Sequence, residues 1–572
     1  MNRLGKNLIA ATLAAGLVMP VGAMAADDLS LKIDMLQKEV DALKAQTKKH
    51  EDKSIEKWLT IGGDYRFRVD SLRGSTKAYT DAQGMFKWMG ANALISVAGA
   101  PFGLPAGNYP AGQVLSMAAN QMSKVTTYSA AAAQAPAFRG MLNNLAAAQA
   151  GSGLATPMNF AIPSAKPSND TLYTNRFGLD LHAKAVKDIT VNVRLLAYKT
   201  FGSNDDAAVT GNGQTPYFAD RVGVFDGTLG HIPSSDYLGV DRAYVTWANI
   251  LDSGAWFSVG RRPSTNGIPS HLKLNNERPG NGGTPALLVD YAFDGMTIGW
   301  APDIAALPGA YAKVCYGRGF ESGLDNRYNT GNSLQDTDML GIAIIPVDTD
   351  PLRIHLQWNR GFNIFDFPTM NNTYFGNTGP AINLGDMDWY GIGLLSTLKK
   401  VGPGNLNLFS EFGMSVSHPN QNVSSNAGFQ GLMTGSFMNP EAPSSKTGYA
   451  VYAGARYDLP SNTKLGFEYN YGTKNWQPFS PAADDMWTAK VGTRGSVFEP
   501  YIIQELNLKP ISSYFAKAFF KIGYQYYDFE YTGSNNWVGA PVKIDDVQST
   551  DMMLMAPLKN AQNIYGSFEV KF

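Results

Sequence analysis

Residues 59–70, LTIGGDYRFRVD, alternate strictly between two faces. One face is apolar apart from a glycine and consists of Leu59, Ile61, Gly63, Tyr65, Phe67 and Val69. The other is mostly polar or charged and consists of Thr60, Gly62, Asp64, Arg66, Arg68 and Asp70. A period of two predicts a β-strand. The run is longer than a usual strand of ~5–6 residues and fits the ~9–11 residues that cross a bilayer at a tilt, so it predicts a membrane-crossing strand.

The same alternation recurs over most of the chain after residue 170. Runs at 171–185, 189–200, 447–457 and 463–473 repeat it, and many runs end in Trp or Tyr, as the aromatic girdles of transmembrane barrels do. A soluble sandwich also alternates, but its strands are shorter. Because every backbone N–H and C=O needs a partner in lipid, a spanning sheet has to close on itself. The sequence therefore predicts an all-β fold, a transmembrane antiparallel β-barrel.

Short turns and long Gly/Asn-rich segments alternate between the runs. Barrels of this kind have short periplasmic turns and long outer loops, so the number of strands is expected to be even and both termini periplasmic. Sixteen strands fit best, at 58–70, 171–185, 189–200, 238–250, 255–262, 288–300, 310–319, 338–346, 352–361, 387–398, 405–416, 447–457, 463–473, 486–494, 516–531 and 562–572. An extra hairpin in 286–319 or 495–515 would give 18 strands, and either number leaves a water-filled lumen.

The composition excludes several classes of protein. Charged residues make up 17% of the 572 residues, below the ~25% of typical soluble domains. The formal net charge of −1 has no basic footprint for nucleic acid, and one Cys excludes a disulfide framework or a four-Cys zinc site. Since no nucleotide-binding, metal-spacing or nucleophile motif is present, the sequence predicts neither an enzyme nor a bound cofactor.

The N-terminus has the three parts of a secretory signal peptide. Arg3 and Lys6 are basic, residues 8–18 are apolar, and Ala23-Met24-Ala25 is a small-x-small cleavage site. Residues 1–25 are therefore expected to be removed on export.

Residues 26–52 are predicted to form a periplasmic coiled-coil segment, followed by the barrel at 53–572. Its seam steps alternately by four and three residues and consists of Leu29, Ile33, Leu36, Val40 and Leu43. A partner subunit is the favoured occupant of this seam, and packing of a lone amphipathic helix on another surface is the alternative. The residue types at the seam favour a dimer in a free peptide, although an attached barrel can override that preference.

Residues 72–170 form a large insertion with few charges. No acidic residue lies between Asp81 and Asp170, and Ala-rich pieces suggest short helices. By parity the insertion is the first outer loop, yet it is too apolar to lie free in water. Two alternatives stay open: a folded cap or subunit contact, and a segment that enters the mouth or lumen and narrows it.

The end of the chain, QNIYGSFEVKF at 562–572, places Phe568, Val570 and Phe572 on one face. This stretch resembles the C-terminal recognition strand of bacterial outer-membrane barrels, which ends in an aromatic residue. The resemblance implies that the barrel-assembly machinery is a partner, with these three residues as its signal.

Arg242-Ala243-Tyr244-Val245 and Gly260-Arg261-Arg262-Pro263 resemble strands of the general and specific porins of Gram-negative bacteria. The whole mature chain resembles a family of outer-membrane porins defined only by a domain of unknown function. The resemblance implies the Gram-negative outer membrane and its lipid, and a homo-oligomer, by analogy a trimer. It also implies that the loop at 263–287 folds inward as a constriction. The insertion at 72–170 departs from simple porins.

The face opposite the apolar one is expected to line the lumen. We count 13 basic and 6 acidic residues on it, and basic rings in a pore favour anions. The candidates for ion selectivity cluster on the first five strands and are Arg66, Arg68, Arg176, Arg194, Arg242 and Arg262. The alternative is that these arginines pair with Asp64, Asp70, Asp180 and loop carboxylates, which would leave little net field.

These observations favour a porin, a channel for passive diffusion of small hydrophilic solutes, and leave open whether it prefers anions. One alternative is a barrel scaffold that sheathes a partner protein such as a cytochrome. Another is a transporter of hydrophobic solutes in which 72–170 forms the hatch. Channel conductance separates the porin from the sheath, because a sheath needs a wide lumen without an inserted constriction.

Overall fold

The computed structural model describes residues 40, 58–82, 84, 94–97, 107–151, 161–202, 238–262, 264–280, 284–323, 334–373, 376–481, 484–509 and 516–572. The chain divides into two compact units, Met1–Thr60 and Ile61–Phe572. Of the proposed coiled-coil seam only Val40 is described, and it is helical and exposed. The other seam residues and the signal peptide lie outside the described residues. Within the described part of the chain, no helix is both long and apolar enough to span a membrane.

Sixteen antiparallel strands form one closed barrel in chain order, which confirms the predicted fold class. The strands are β1 Leu59–Thr76, β2 Ser168–Val186, β3 Ile189–Thr200, β4 Leu238–Ile250, β5 Ala255–Arg261, β6 Asp294–Trp300, β7 Tyr311–Phe320, β8 Thr337–Asp348, β9 Arg353–Phe365, β10 Asn383–Val401, β11 Gly404–Pro419, β12 Thr447–Asp458, β13 Thr463–Gly472, β14 Gly495–Glu505, β15 Lys517–Phe529 and β16 Leu558–Lys571. Shorter pairings outside the barrel join Leu94–Val97 with Gly107–Pro110, Met370–Thr373 with Gly376–Thr378, and Tyr79–Asp81 with Ala161–Ile162 and Met552–Met553.

The first and last strands close the barrel. Phe67 pairs with Phe568 and Tyr65 with Val570 in the β1–β16 ladder. Phe572 extends the ladder, because its N–H donates to the Gly63 carbonyl at 3.0 Å and its own carbonyl accepts from the Gly63 N–H at 2.8 Å. The three residues of the proposed assembly signal therefore lie where β1 and β16 pair and close the barrel.

The fourteenth strand differs from its predicted position. It is Gly495–Glu505, whereas 486–494 folds back into the barrel as a buried turn with a 3₁₀ helix at Lys490–Gly492. Pro500 weakens the strand signal of the true β14, since proline is disfavoured inside a sheet. The structure places Pro500 on the exposed outer face, and the pairing with β15 skips Glu499 and Pro500.

The sixth strand is shorter than predicted. It begins at Asp294 rather than at residue 288. The apolar residues just before it, such as Leu288, Val289 and Tyr291, belong to the core inside the barrel. A continuous apolar run reads as a strand in sequence, although here it is a buried loop.

Connections of two lengths lie at opposite ends of the barrel. The strand ends that the seven short connections join lie at one end of the barrel, with the start of β1 and the end of β16. The strand ends that the eight long connections join lie at the other end; these connections are 77–167, 201–237, 262–293, 321–336, 366–382, 420–446, 473–494 and 530–557. This arrangement is the one that transmembrane barrels use to distinguish their two sides.

The insertion is shorter than the predicted 72–170, because 72–76 belong to β1 and 168–170 to β2. Its helical part packs on a neighbouring long loop. Its described helices are α1 Ala111–Met122 and α2 Tyr128–Gly151. The Tyr128 N–H donates to the Gln421 carbonyl at 2.7 Å, the Arg139 guanidinium donates to the Met438 carbonyl at 2.8 Å, and the rings of Phe138 and Phe429 lie 5.6 Å apart. This part of the insertion is thus held against the loop at 420–446.

The hydrophobic core lies inside the barrel, against β9 to β14. Leu287 and Leu288 of one long loop and Trp476 of another pack there on wall residues that include Trp389. Glycine permits this close approach: a Cβ on Gly391 would lie 2.7 Å from Leu288, and one on Gly413 would lie 2.7 Å from Trp476. The loops and the wall are thus packed as a protein interior is.

Candidate functional site

Two long loops fill much of the lumen. The first lumen loop consists of residues 264–280 and 284–293, and the second lumen loop consists of residues 473–481 and 484–494. The first starts at the end of β5 and reaches the opposite wall. There Arg456 of β12 donates to the Leu272 carbonyl at 2.6 Å, and Lys571 of β16 donates to the Leu274 carbonyl at 2.9 Å. The expectation that the loop after Gly260-Arg261 folds inward is therefore confirmed.

A buried charge cluster joins the two lumen loops to the wall. Lys273 of the first loop donates to Asp485 of the second at 3.1 Å and lies 2.7 Å from Glu499 of β14. Lys490 of the second loop pairs with Glu499 and with Glu468 of β13. Burial lowers the pKa of Lys490, but the two wall carboxylates outweigh burial and hold that pKa well above its usual range. Lys490 is therefore a charged anchor in the interior.

Tyrosines and the backbone add further hydrogen bonds to this cluster. The Tyr565 hydroxyl donates to Glu499 at 2.8 Å and the Tyr452 hydroxyl donates to Glu468 at 2.6 Å. The Lys490 N–H donates to Asp485 at 3.0 Å. The sequence pattern does not reveal Lys490 as a functional residue, because it predicts a wall strand at 486–494, where the structure has a buried loop.

Arg66 and Arg68, the first two selectivity candidates, are buried and paired. Arg66 binds Asp484 of the second lumen loop and donates to the Tyr198 hydroxyl at 2.9 Å. Arg68 donates twice from Nε and once from Nη2 to Asp70, at 2.7–2.9 Å. Both arginines are at most 3% exposed. They hold the interior together and offer little charge to a passing solute.

Arg176 and Arg194 share one carboxylate. Arg176 donates to Asp64 at 2.9 Å, and Arg194 pairs with the other oxygen of Asp64 and with Asp180. Arg194 also lies 3.7 Å from Asp241. These contacts match the alternative in which strand carboxylates neutralise the arginines.

The last two candidates have different surroundings. The Arg242 side chain is 26% exposed and lies 3.1 Å from Asp241. Arg262 donates to the hydroxyls of Ser258, at 3.1 Å, and Thr297. Arg242 is therefore a partly exposed cation beside a carboxylate, whereas Arg262 is held by two hydroxyl groups.

A β-bulge brings Asp241 into the lumen beside Arg242. The pairing of β3 with β4 passes from Arg194–Arg242 directly to Leu195–Val240, so Asp241 is the extra residue. Strict alternation would place neighbouring residues on opposite faces, whereas a bulge re-aims one of them. Asp241 is 1% exposed.

A cavity of about 400 Å³ remains between β1–β4 and the first lumen loop. Its charged lining residues have both signs, and they are Asp64, Arg176, Asp180, Arg194, Asp241, Arg242, Glu277, Glu569 and Lys571. Four of these are basic and five are acidic. The open part of the lumen is therefore polar, with charges that nearly balance.

His271 of the first lumen loop lines the same cavity. Burial, together with Arg456, Arg278 and Arg353, lowers the pKa of His271 to about 3. The imidazole is therefore neutral at neutral pH.

We expect His271 to make the protein acid-sensitive. Its folded-state pKa lies below the unfolded value, so the unfolded chain binds the proton more readily between the two values and stability falls as the pH drops below about 6.5. Between pH 7 and pH 5 the free energy of unfolding of the wild type is expected to fall by about 2 kcal/mol more than that of His271→Gln. Denaturant unfolding of both proteins at the two pH values measures the difference, and parallel pH curves would contradict it.

The closed sixteen-strand wall, the two sets of connections and the inward-folded loops together define a β-barrel of the porin type. The family model described as a protein of unknown function (DUF3373) matches residues 166–572. The chain belongs to that family. No curated protein matches the sequence.

Several solved outer-membrane proteins are similar to the chain at low identity. Pseudomonas putida OprB, in a high-pH structure, is 9% identical with a TM-score of 0.39, over 91% of this chain and 95% of that one. An anion-selective porin from Comamonas acidovorans is 10% identical with a TM-score of 0.37, over 90% and 99%. The trimer form of OmpT from Vibrio cholerae is 11% identical with a TM-score of 0.35, over 90% and 100%.

Proposed function

We propose that the protein is an outer-membrane channel through which small hydrophilic solutes diffuse passively. The observation that carries this proposal is the polar cavity left between β1–β4 and the first lumen loop. A barrel of this strand number has an aqueous interior unless it is filled. Within the part of the chain that the structure describes, the loops fill one side of the lumen and leave the charged side open.

We further propose that the solutes are small and that ion selectivity is weak. The first lumen loop narrows the lumen, and the carboxylates beside Arg176, Arg194 and Arg242 offset their charges. We therefore do not propose the anion preference that is expected from the count of charged residues on the strands.

Two substitutions of opposite sign test the role of the cavity. Arg242→Gln and Asp180→Asn each remove one partly exposed charge from its lining. A unit charge some 4–8 Å from an ion in water is worth about 0.5–1 kcal/mol, a change of about two- to five-fold in relative permeability. We expect Arg242→Gln to favour cations and Asp180→Asn to favour anions by that factor, measured as reversal potentials in a salt gradient.

The control is Arg73→Gln, which removes an exposed arginine of β1 that does not line the cavity. It should leave the reversal potential unchanged. Discrete conductance steps in a planar bilayer are expected from the wild type. No conductance from the folded barrel, or the same reversal potential in all three variants, would refute the proposed passage.

The sheath alternative is disfavoured by the filled lumen. Trp389 of the wall and Trp476 of the second lumen loop are both fully buried inside the barrel. A partner protein would have to displace this core. The loops themselves occupy the space that a sheath needs.

The placement in the membrane follows from the same proposal. We propose that the short-turn end and both termini face the periplasm and that the long loops face outward. The seam from Leu29 to Leu43 is proposed to join subunits of a homo-oligomer, and the strand that ends at Phe572 is proposed to be recognised by the barrel-assembly machinery.

A further inference from the structure

A second, smaller cavity lies between the inner face of β6–β9 and the first lumen loop, beside Arg262 at the end of β5. Its volume is about 50 Å³. A cavity needs roughly 10–15 Å³ of such volume for one water molecule, so this one has room for only a few water-sized particles. That size excludes a sugar or an organic acid and admits a small ion with its waters.

The charged residues that line this cavity are both cations, Arg262 and Lys313. Among the described lining residues there is no aspartate or glutamate, in contrast to the larger cavity. Lys313 is 6% exposed. Two cations brought together in a medium of low dielectric repel each other, and a bound anion would offset that repulsion.

The hydrogen-bond donors point to the same kind of ligand. The guanidinium of Arg262 uses Nε and Nη1 on the hydroxyls of Ser258 and Thr297. Asn359, which also lines the cavity, is 6% exposed, and its amide nitrogen has no acceptor among the described residues. A buried donor without an acceptor costs about 1–3 kcal/mol, which an anion in the cavity would recover.

We propose that this cavity binds one small inorganic anion of the halide class, held by Arg262, Lys313 and the amide of Asn359. The site is separate from the solute passage, because none of these three residues lines the larger cavity. The anion accepts hydrogen bonds from the Arg262 guanidinium and the buried Asn359 amide, and it stabilises the packing of the first lumen loop on the wall.

Bromide is the probe, because its anomalous scattering locates it. In crystals of the full chain grown in sodium bromide, we expect an anomalous peak in the small cavity within hydrogen-bond distance of Arg262 and Asn359. In solution, replacing sodium gluconate by sodium bromide at constant ionic strength should raise the Tm of the wild type.

Two variants remove the site in different ways. Asn359→Leu deletes the donor, and Arg262→Gln deletes one cation. Each should lose the anomalous peak and the bromide-dependent rise in Tm, and if one does not fold, the other still decides. Arg360→Gln is the control, because Arg360 is the neighbour of Asn359 on β9, pairs with Asp386 and does not line the cavity. It should keep both signals.

An empty or water-filled cavity in crystals that show bromide elsewhere would overturn the proposal. A bromide-dependent rise in Tm that persists in both site variants would overturn it as well. Neither readout depends on conductance, so a failure here is distinguishable from a failure of the proposed channel.

Discussion

Lys490→Met is expected to destabilise the barrel and to enlarge its conductance. Lys490 is 5% exposed, and its ammonium pairs with Glu468 and Glu499, which are both fully buried. Removing one partner of a buried ion pair leaves an uncompensated charge, which costs about 3–5 kcal/mol. The uncompensated charge is mainly that of Glu468, because Glu499 keeps its contact with Lys273.

The same substitution frees the second lumen loop from the wall. We therefore expect larger single-channel conductance steps as well as a lower free energy of unfolding, measured in denaturant. The double variant Lys490→Met/Glu468→Gln should recover part of the lost stability, since one stranded charge is gone. Lys187→Met, at an exposed position in a short turn, is the matched control. Wild-type stability and conductance in Lys490→Met would show that the cluster does not anchor the loop.

Arg494→Met is expected to weaken the contact between the long loops at 473–494 and 530–557. Arg494 lies just before β14, is 1% exposed and donates to the carbonyls of Trp476, Thr532 and Asn536 at 3.0 Å each and to that of Gly533 at 2.6 Å. Hydrogen bonds to a charged group contribute about 1.5–3 kcal/mol each and are not additive. Methionine fills similar space but leaves the carbonyls unpaired, so we expect a loss of about 4 kcal/mol.

Arg494→Lys should rescue little of this loss, because a point charge on a flexible chain cannot reproduce the planar fork of donors. The free energy of unfolding and limited proteolysis within 530–557 measure the effect. Arg360→Met is the control, because its ion pair is 30% exposed and exposed pairs contribute about 0–1 kcal/mol. Equal protease resistance in Arg494→Met and wild type would refute the role of Arg494.

The wall of the barrel could be predicted from the sequence because alternation is a local property. Runs such as 59–70 show their two faces residue by residue, and the structure confirms them as strands. The position of the fourteenth strand was not predicted correctly, because Pro500 interrupts the alternating pattern of the true strand. The buried turn around Lys490, in contrast, has a sequence that resembles a strand. Local sequence patterns do not distinguish a strand of the barrel wall from a buried loop segment inside the lumen.

The charge of the lumen could not be predicted from strand patterns for a related reason. The count of inward residues omitted acids that arrive from elsewhere, such as Asp484 on the second lumen loop and Asp241 on a bulge. Both neutralise arginines that strand alternation had placed correctly on the inner face. Ion pairing across the lumen depends on tertiary structure. A count of charged residues along the strands therefore overstates the net electrostatic field in the lumen.

The seam between β1 and β16 has a consequence for how the molecule is built. Lys571 of β16 donates to the carbonyls of Leu274 and Asn275 in the first lumen loop, and Arg66 of β1 binds Asp484 in the second. Each strand at the seam is thus tied to a loop that crosses the interior. The closure of the barrel between β1 and β16 and the packing of the two lumen loops therefore stabilise each other.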